Sequence, residues 1–476
     1  MGSCCCRRSR SKVVPVIGQS SFEELGHVMD RNSAGFTAWK DKEPTVNSLF
    51  EMDVTTWVSL DSQSFDTWMV SCQQACQELI KYPSFRSVVS RNKKKAPKGY
   101  AWKEVREMNV LQHIEVETIV APNSGADVLQ RVAQLRNEYF NLERPRWQLR
   151  IYRYVDSTEN ASASKTCAVF ALLRTGHMLA DGVSLVSIFL TSFLNAGIKI
   201  DAVRPLAGPL VSGGDKALKH AHFDVSWQEM EALRADLLKA WDIPRLTATT
   251  LMHTVTSRAL ACVKGREKKA KMWVAMPTDK RGKVLNTKKT VAEFNQQAKE
   301  YADALLRWEP PNHVEGDAHK VKGLRAIDQD LSGWCVSYLL LRDALERPYL
   351  QSMRKFMDEF LAPQNKQRLT KNFGGTIDYM LSSMNAGPQN NSFGNSEIRS
   401  VTMFMYPTCC FERSIMLLRS GDLMSVGITA PDADLLAQGM VQNLQSLQKL
   451  VADSKSASPG LVKALDSEKA PTAPVT

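Results

Sequence analysis

The 476-residue sequence lacks several patterns that mark metal-binding, secreted or membrane-spanning proteins. Its ten cysteines include no CxxC pair and show no metal-ligand spacing with the eight histidines, so we expect no metal site. Most cysteines lie in apolar segments, which indicates buried thiols in a reducing compartment. The N-terminus has no apolar region of the kind that secretory signals carry. No uninterrupted apolar run reaches the roughly 18 residues of a spanning helix, and the nearest approach, Val183–Ile200, is interrupted by Ser184, Ser187, Thr191, Ser192 and Asn195.

Nucleic-acid partners are also not expected, although the net charge is +11. The basic residues form four clusters without interleaved aromatics or zinc spacing, at Arg7–Lys12, Arg91–Lys103, Lys264–Lys271 and Lys280–Lys289. Attraction to an anionic membrane surface or to a phosphorylated cofactor explains them more simply. The alternative is a set of solvated loops, which we favour for Lys264–Lys271.

The chain is long enough for two domains of ordinary size. A Pro/Gly-rich stretch after Ile200 is the best internal boundary. We expect a basic tether at residues 1–44, a first half at 45–202, a crossover at 203–222, a second half at 223–452 and a disordered tail at 453–476.

The N-terminal residues predict lipid attachment. Gly2 could carry a myristoyl group and Cys4, Cys5 and Cys6 could carry palmitoyl groups, although Cys6 stands where the usual motif has Ser or Thr. Two lipid chains, or one with a basic patch, anchor a protein durably. We therefore expect a peripheral protein on the cytoplasmic face of the endoplasmic reticulum or plasma membrane. The alternative is a disordered basic tail with chance cysteines.

The middle of the chain predicts a histidine in a turn. Cys167–Leu173 is a short apolar run typical of a buried strand, and Val183–Leu194 has the length of a helix. Between them lie His177, Asp181 and Gly182. Such a turn can expose an imidazole in a cleft while a carboxylate braces the loop, but a hydrogen-bonded structural histidine is the plain alternative.

Apolar spacing predicts a mixed α/β (α+β) fold on both sides of this turn. The predicted helices are Phe65–Ile80, Ala126–Tyr139, Val225–Trp241, Thr249–Val263, Trp334–Leu345, Tyr349–Phe360 and Asp434–Val451. The predicted strands are Gln148–Tyr152, Cys167–Leu173, Met272–Pro277, Thr376–Ser383, Ile398–Met405, Ser414–Arg419 and Leu423–Ile428. The polar segment Asn286–Glu315 shows no pattern that predicts a helix or a strand.

Four short motifs occur in order along residues 46–450. They are Glu143-Arg144-Pro145-Arg146-Trp147, His177-Met178-Leu179-Ala180-Asp181-Gly182, Met276-Pro277-Thr278-Asp279-Lys280-Arg281 and Ser383-Met384-Asn385-Ala386-Gly387-Pro388, with Tyr406-Pro407 following. With them the chain resembles the wax ester synthase/diacylglycerol acyltransferase family, within the CoA-dependent acyltransferases that share an HxxxD signature. The resemblance implies two halves similar to chloramphenicol acetyltransferase, with an active-site tunnel between them.

The same resemblance implies the chemistry. Histidine is suited to take a hydroxyl proton near neutral pH, so His177 would be the general base in acyl transfer from a thioester to an alcohol. Asp181 would pair with Arg281 and, with Gly182, hold the imidazole. The expected tunnel residues are Pro145, Trp147, Thr249, Thr250, Asn385 and Gly387. Acyl-CoA would be the co-substrate, a fatty alcohol or diacylglycerol the acceptor, and no cofactor would be permanently bound.

The chain departs from the family pattern at three places. Gly176 stands where the family has a first histidine, Thr249-Thr250 where it has an Asn-Asp pair, and Arg146 where it has an apolar residue. Two other functions therefore stay open. One is a related acyltransferase for a smaller alcohol or an amine, and the other is a protein that binds acyl-CoA or lipid without turnover.

Overall fold

The computed structural model describes residues 27–29, 51–58, 60, 64–91, 100–120, 129–132, 135, 140–141, 143–155, 166–196, 210–211, 218–263, 271–279, 290–307, 314–322, 330–346, 377–405 and 412–456. The strands are β1 (His27–Val28), β2 (Glu51–Val58), β3 (Ser87–Arg91), β4 (Tyr100–Glu104), β5 (Ile114–Val120), β6 (Trp147–Val155), β7 (Thr166–Gly176), β8 (Asn195–Ala196), β9 (Leu210–Val211), β10 (Lys219–Ser226), β11 (Lys271–Asp279), β12 (Val314–Lys322), β13 (Tyr379–Asn385), β14 (Asn391–Phe393), β15 (Ser396–Met405), β16 (Ser414–Ser420) and β17 (Leu423–Ala430). The helices are α1 (Phe65–Leu79), α2 (Gly182–Ser192), α3 (Trp227–Ala240), α4 (Ala248–Val263), α5 (Val291–Leu306), α6 (Leu331–Glu346) and α7 (Ala433–Ser456), with 3₁₀ turns at Pro83–Arg86 and Val110–His113.

A seven-stranded sheet forms the core of the first half, in the order β5-β6-β7-β2-β15-β14-β8. Successive side chains of a strand point to opposite faces, and β7 shows this directly. Ala171 and Leu173 belong to the large core with α1 and α2, whereas Phe170 and Leu172 belong to a small cluster on the other face. Because both faces are covered, β7 reads as a continuous apolar run.

A second seven-stranded sheet has the order β12-β11-β13-β16-β17-β10-β9. Strand β13 pairs in parallel with both β11 and β16, and β17 pairs antiparallel with both β16 and β10. Apolar residues of this sheet and of α3, α4, α6 and α7 form a separate core. A small sheet of β1, β4 and β3 completes the described strands. The α/β fold with two halves, predicted from the sequence, is confirmed.

The second half contributes two strands to the first sheet. β14 and β15 lie in sequence between strands of the second sheet, yet they belong to the first, where β15 pairs with β2 and β14 pairs with β8. Strand β15 also packs against β16 and β17. A Cβ on Gly427 would lie only 2.2 Å from the main-chain oxygen of Met403, so glycine permits this close approach of the two sheets. The sequence boundaries of the halves stay a prediction: the first sheet includes strands from both halves, whereas the strands of the second sheet all lie within residues 210–430.

The predicted helices and strands are largely confirmed where the structure describes them. The difference lies around the crossover: residues 219–226 form β10, and the helix expected from Val225 begins at Trp227. Ser226 caps that helix, because its side chain accepts a hydrogen bond from the main-chain N–H of Glu229 at 3.3 Å. Strand β10 is therefore followed directly by α3. The predicted helix Tyr349–Phe360 lies outside the described residues.

Candidate active site

His177 lies in a tight turn between β7 and α2. The turn closes when the N–H of Leu179 donates to the carbonyl of Gly176 at 2.9 Å, so His177 is one of its two central residues. The side chain is buried, with 8% of its surface exposed. The imidazole thus directly follows β7, a strand that is buried on both faces, as the apolar run Cys167–Leu173 predicts.

Asp181 ends the turn and begins the helix. Its carboxylate accepts a hydrogen bond from the N–H of Ser184 at 2.8 Å, and it is the N-cap of α2. A carboxylate at this position satisfies a free helix N–H and faces the positive end of the helix dipole. Asp181 is completely buried, so its hydrogen bond to the helix fixes the geometry of the turn. Its expected partner Arg281 lies outside the described residues.

The segment Pro145–Trp147 supports the turn from the first half. The carbonyl of Arg146 accepts a hydrogen bond from the N–H of Gly176 at 2.9 Å. Trp147 is buried, and its indole N–H donates to the carbonyl of Phe85 at 2.7 Å. Pro145 is also buried, directly before this contact. Pro145 and Trp147 therefore act at least as packing residues beside the histidine turn.

His113 stacks on Trp147, with ring centroids 4.3 Å apart. Its Nδ1 lies 2.8 Å from the main-chain oxygen of Trp147. Burial lowers the pKa of His113, the hydrogen bond to Trp147 opposes this shift, and the nearby charge of Arg144 adds to it. A neutral, packed His113 agrees with the structural role that its sequence context indicates.

The second half reaches the turn through α5 and β13. Helix α2 packs against both elements. A Cβ on Gly182 would lie 2.6 Å from Sδ of Met384, so the glycine is needed here for space. Gly387 has φ of +110°, which favours glycine, and its backbone lies close to the ring of Phe294. Asn385 Oδ1 accepts the N–H of Gly387 at 3.0 Å. The structure thus places Asn385 and Gly387 just beyond the residue that touches Gly182.

Thr249 and Thr250 occupy a different environment. Both are partly buried in the first turn of α4, where the N–H of Thr250 donates to the side chain of Thr247 at 3.0 Å. Helix α4 packs against α3, α6 and α7 in the core of the second half. The contacts described for the two threonines are thus with the start of their own helix. Their predicted place in a tunnel stays a prediction.

Helix α5 and Met384 are site components that the sequence motifs did not identify. The signal for α5 was present, because Thr290 and Glu293 form a capping box with reciprocal hydrogen bonds. Apolar or small residues then recur at helical spacing on its buried face, at Phe294, Ala298, Tyr301, Ala302 and Leu305. Met384 lies inside the motif at residues 383–388, but only the closeness of its sulfur to Gly182 in the structure shows that it packs against the histidine turn.

A second buried polar cluster lies on β10 and β17. His222 Nε2 is 2.9 Å from Asp224 Oδ1, and the hydroxyl of Ser425 donates to the same oxygen at 2.5 Å. A hydrolytic triad needs the serine hydroxyl bonded to the imidazole instead. Serine here bonds to the carboxylate, so the three residues do not have the arrangement of a serine hydrolase.

No three histidine, cysteine or acidic side chains of the described ranges come together in a way that could hold a metal ion. Likewise, no helix in the described part of the chain is both long and apolar enough to cross a bilayer. Gly2, Cys4, Cys5 and Cys6 lie outside the described residues.

No family model and no curated protein sequence matches this chain. Solved structures do. The chain is similar to the wax ester synthase/diacylglycerol acyltransferase from Marinobacter aquaeolei VT8, with TM-score 0.57 and 13% identity over 89% of this chain and 100% of that chain. It is similar to the TRI3 trichothecene 15-O-acetyltransferase from Fusarium sporotrichioides, with TM-score 0.53 and 10% identity over 88% and 93% of the two chains.

A third similar structure is the first condensation domain of the calcium-dependent antibiotic synthetase, with TM-score 0.54 and 10% identity over 90% of this chain and 97% of that domain. Identities this low establish the fold and leave the activity open. The chain therefore has the two-lobed α/β fold that wax ester synthase/diacylglycerol acyltransferase shares with other acyltransferases and condensation domains.

Proposed function

We propose that this protein is an acyl-CoA-dependent O-acyltransferase in which His177 is the general base. The observation that carries the proposal is the histidine turn itself, a buried imidazole at the end of a buried strand, followed by an aspartate that caps the next helix. Helix α2, which follows the turn, packs against α1 of the first half and against α5 and β13 of the second half. The two-lobed acyltransferase fold supports the same assignment.

The reaction requires two proton transfers at one group. The imidazole of His177 takes the proton of the acceptor hydroxyl while its oxygen attacks the thioester carbonyl. The tetrahedral intermediate then collapses, the carbon–sulfur bond breaks, and the imidazolium returns the proton to the departing CoA sulfur. Asp181 takes no part in proton transfer; with Gly182, and through the proposed pair with Arg281, it holds the turn in place.

For the acceptor we propose a long-chain alcohol or diacylglycerol, giving a wax ester or triacylglycerol. The support is the similarity to the wax ester synthase/diacylglycerol acyltransferase over its whole length. The similarity to a trichothecene 15-O-acetyltransferase supports a second candidate, an acyltransferase acting on a smaller alcohol. The glycine at position 176 keeps a third candidate open, binding of acyl-CoA or lipid without turnover.

Two measurements on the purified protein test the proposal: release of free CoA thiol and formation of the ester product. The protein is incubated with palmitoyl-CoA and with hexadecanol, dioleoylglycerol or a panel of short alcohols and amines, and the lipid products are separated by thin-layer chromatography. We expect His177→Ala to lower the rate by about 10²–10⁴. His253→Gln is the matched control, because His253 is a buried histidine of the second core, near the hydroxyl of Tyr379.

The three candidates give different results. Ester formation with hexadecanol or dioleoylglycerol supports the proposal, and turnover restricted to short acceptors supports the second candidate. Saturable palmitoyl-CoA binding without thiol release across the whole panel contradicts catalysis. Unchanged turnover in His177→Ala would remove His177 from the mechanism.

We also propose that the N-terminus anchors the protein to the cytoplasmic face of the endoplasmic reticulum or plasma membrane. The support is Gly2 directly after Met1, the three adjacent cysteines and the basic residues that follow. Gly2→Ala should move the protein from the membrane pellet to the supernatant and abolish myristate incorporation. Continued sedimentation of Gly2→Ala with membranes would contradict lipid anchoring through this residue.

A further inference from the structure

Met384 brings the second half of the protein into contact with the histidine turn. Along β13 the side chains alternate between two cores. Leu381 belongs to the second core, whereas Met380 and Met384 belong to the large core with β7 and α2. A Cβ on Gly182 would lie 2.6 Å from Sδ of Met384 and 3.4 Å from its Cε. The end of the methionine side chain therefore occupies the space in which a side chain at position 182 would begin.

Met384 lies on a fixed support. Strand β13 lies inside the second sheet, between β11 and β16, and Met384 is paired in register with buried Leu418 of β16. Just beyond it, the side chain of Asn385 accepts the N–H of Gly387, whose backbone lies close to the ring of Phe294 on α5. Side chains on strands are held more precisely than side chains on loops. The sulfur is therefore presented to the turn from a rigid element.

The chain between Gly182 and His177 is buried and tied to α2. Gly182 is the first residue of α2. The preceding Asp181 caps the helix with its side chain, and its carbonyl accepts the N–H of Leu185 at 2.8 Å. Residues 178–181 are each 1% exposed or less. A close-packed interior transmits a displacement instead of absorbing it, so the place of the imidazole depends on the place of Gly182.

From these contacts we propose that Met384 is a positioning residue for His177: a thioether of the second half fixes the turn that carries the general base of the first half. The proposal rests on the function proposed above for its catalytic consequence. It goes beyond that function because it assigns the orientation of the base to a contact between the two halves. Methionine suits this task, since its unbranched, polarisable side chain fills irregular gaps between packed elements.

A small displacement of the imidazole is costly for acyl transfer. A general base must lie within hydrogen-bonding distance of the hydroxyl that it deprotonates. A misplacement of about 1 Å can lower an enzymatic rate by about 100-fold. Truncation of Met384 leaves space beside Gly182 into which the start of α2 can move. Met384→Ala should therefore lower kcat by about 10- to 100-fold while KM stays near the wild-type value.

The test compares Met384→Ala, Met384→Leu, Gly182→Ala and the double variant Gly182→Ala/Met384→Ala in the full chain. Leucine has a volume close to that of methionine and should retain most of kcat. Met230→Ala is the matched control, because Met230 is a buried methionine of α3 that belongs to the second core. Circular dichroism establishes that each variant is folded. The readouts are kcat and KM with palmitoyl-CoA and the acceptor that gives product in the assay above.

The double variant separates positioning from a general loss of stability. Gly182→Ala should lower kcat because its methyl group pushes against the sulfur of Met384. In the double variant the methyl group takes the place of the sulfur, so kcat should exceed that of Gly182→Ala. Met230→Ala should keep the wild-type kcat. A double variant no faster than Gly182→Ala would overturn the proposal, as would wild-type kcat in either single variant.

A second measurement separates this proposal from the proposed function. Proteins labelled with ¹³C-histidine are compared by NMR, and the His177 signal is assigned by its loss in His177→Ala. A His177 signal displaced in Met384→Ala but not in Met230→Ala supports the positioning role even if no acceptor is ever esterified. A signal displaced equally in both, or in neither, refutes it even if the enzyme proves active. Should Met384→Ala fail to fold, the same comparison is made with Met384→Val, which shortens the side chain but suits a strand.

Discussion

Replacing Gly182 with alanine should strain the contact between the histidine turn and the second half of the protein. The new Cβ would lie 2.6 Å from Sδ of Met384, whereas heavy atoms in contact prefer separations of about 3.5–4.0 Å. The sulfur would therefore have to move by roughly 1 Å, and overpacking of this kind costs about 1–3 kcal/mol. The loss of glycine entropy in the unfolded chain offsets up to about 1 kcal/mol of this cost.

Met384→Ala removes the atom that the new methyl group meets. Alone it should cost about 2–5 kcal/mol, because Met384 is buried at 8% exposure and leaves a cavity. In the double variant the alanine methyl enters that cavity. The double variant should therefore be at least about 1 kcal/mol more stable than the sum of the two single changes, as expected for side chains in contact.

Thermal unfolding of the four proteins measures this coupling, with about 1 °C expected for each kcal/mol in a chain of 476 residues, because the unfolding entropy of about 2.1 cal/mol/K per residue sums to about 1 kcal/mol/K. Gly176→Ala is the matched control, since the nearest atoms to its new Cβ lie at 3.5 Å and it should leave the Tm nearly unchanged. Additivity of the two Tm changes to within about 0.3 °C would refute direct contact between position 182 and Met384.

Three further changes have defined outcomes. Burial lowers the pKa of His113 below 6.5 and so keeps the imidazole neutral. Its contribution to stability is complete above pH 6.5 and is lost as the pH falls. His113→Gln should therefore flatten the fall in Tm between pH 7 and pH 5, and an unchanged slope would contradict this. Asp432→Asn should lower stability by about 1–3 kcal/mol, because both carboxylate oxygens accept hydrogen bonds from buried Arg413 at 2.8 and 2.6 Å, while Glu412 still accepts from the same guanidinium; chemical denaturation measures the loss. Asp181→Ser retains an oxygen that can cap α2 but removes the charge, so it should lose less stability than Asp181→Ala while both lose kcat. Wild-type kcat in Asp181→Ser would contradict the proposed pair with Arg281.

The β7 turn and α2 could be predicted from sequence because their signals are local. The apolar run of β7, the capping aspartate and the apolar length of α2 all lie within about one turn of the residues they organise. Helix α5 was missed for a different reason. Its buried face includes two alanines, a glutamine and a tyrosine, so the segment is polar on average and its apolar periodicity is weak. The Thr290–Glu293 capping box could have indicated where the helix begins.

The placement of β14 and β15 in the first sheet could not be predicted from the sequence. Strand β15 has the same apolar character as β16 and β17, which follow it, yet it pairs with β2, more than 300 residues earlier. Apolar alternation specifies that a segment is a strand and which face is buried, but not which strand it pairs with. Pairing depends here on non-local packing, such as the close approach of Gly427 to the backbone of Met403.

Three of the four motifs that suggested a function, at residues 143–147, 177–182 and 383–388, meet at one turn in the structure. The carbonyl of Arg146 accepts a hydrogen bond from the N–H of Gly176, and Met384 lies against Gly182 from the other half. Each motif residue with a described contact there is engaged in packing or in a main-chain hydrogen bond. Loss of activity in a single motif variant would therefore report displacement of His177 as readily as loss of a chemical group. Only measurements of fold and stability made on the same variants, beside kcat, separate the two.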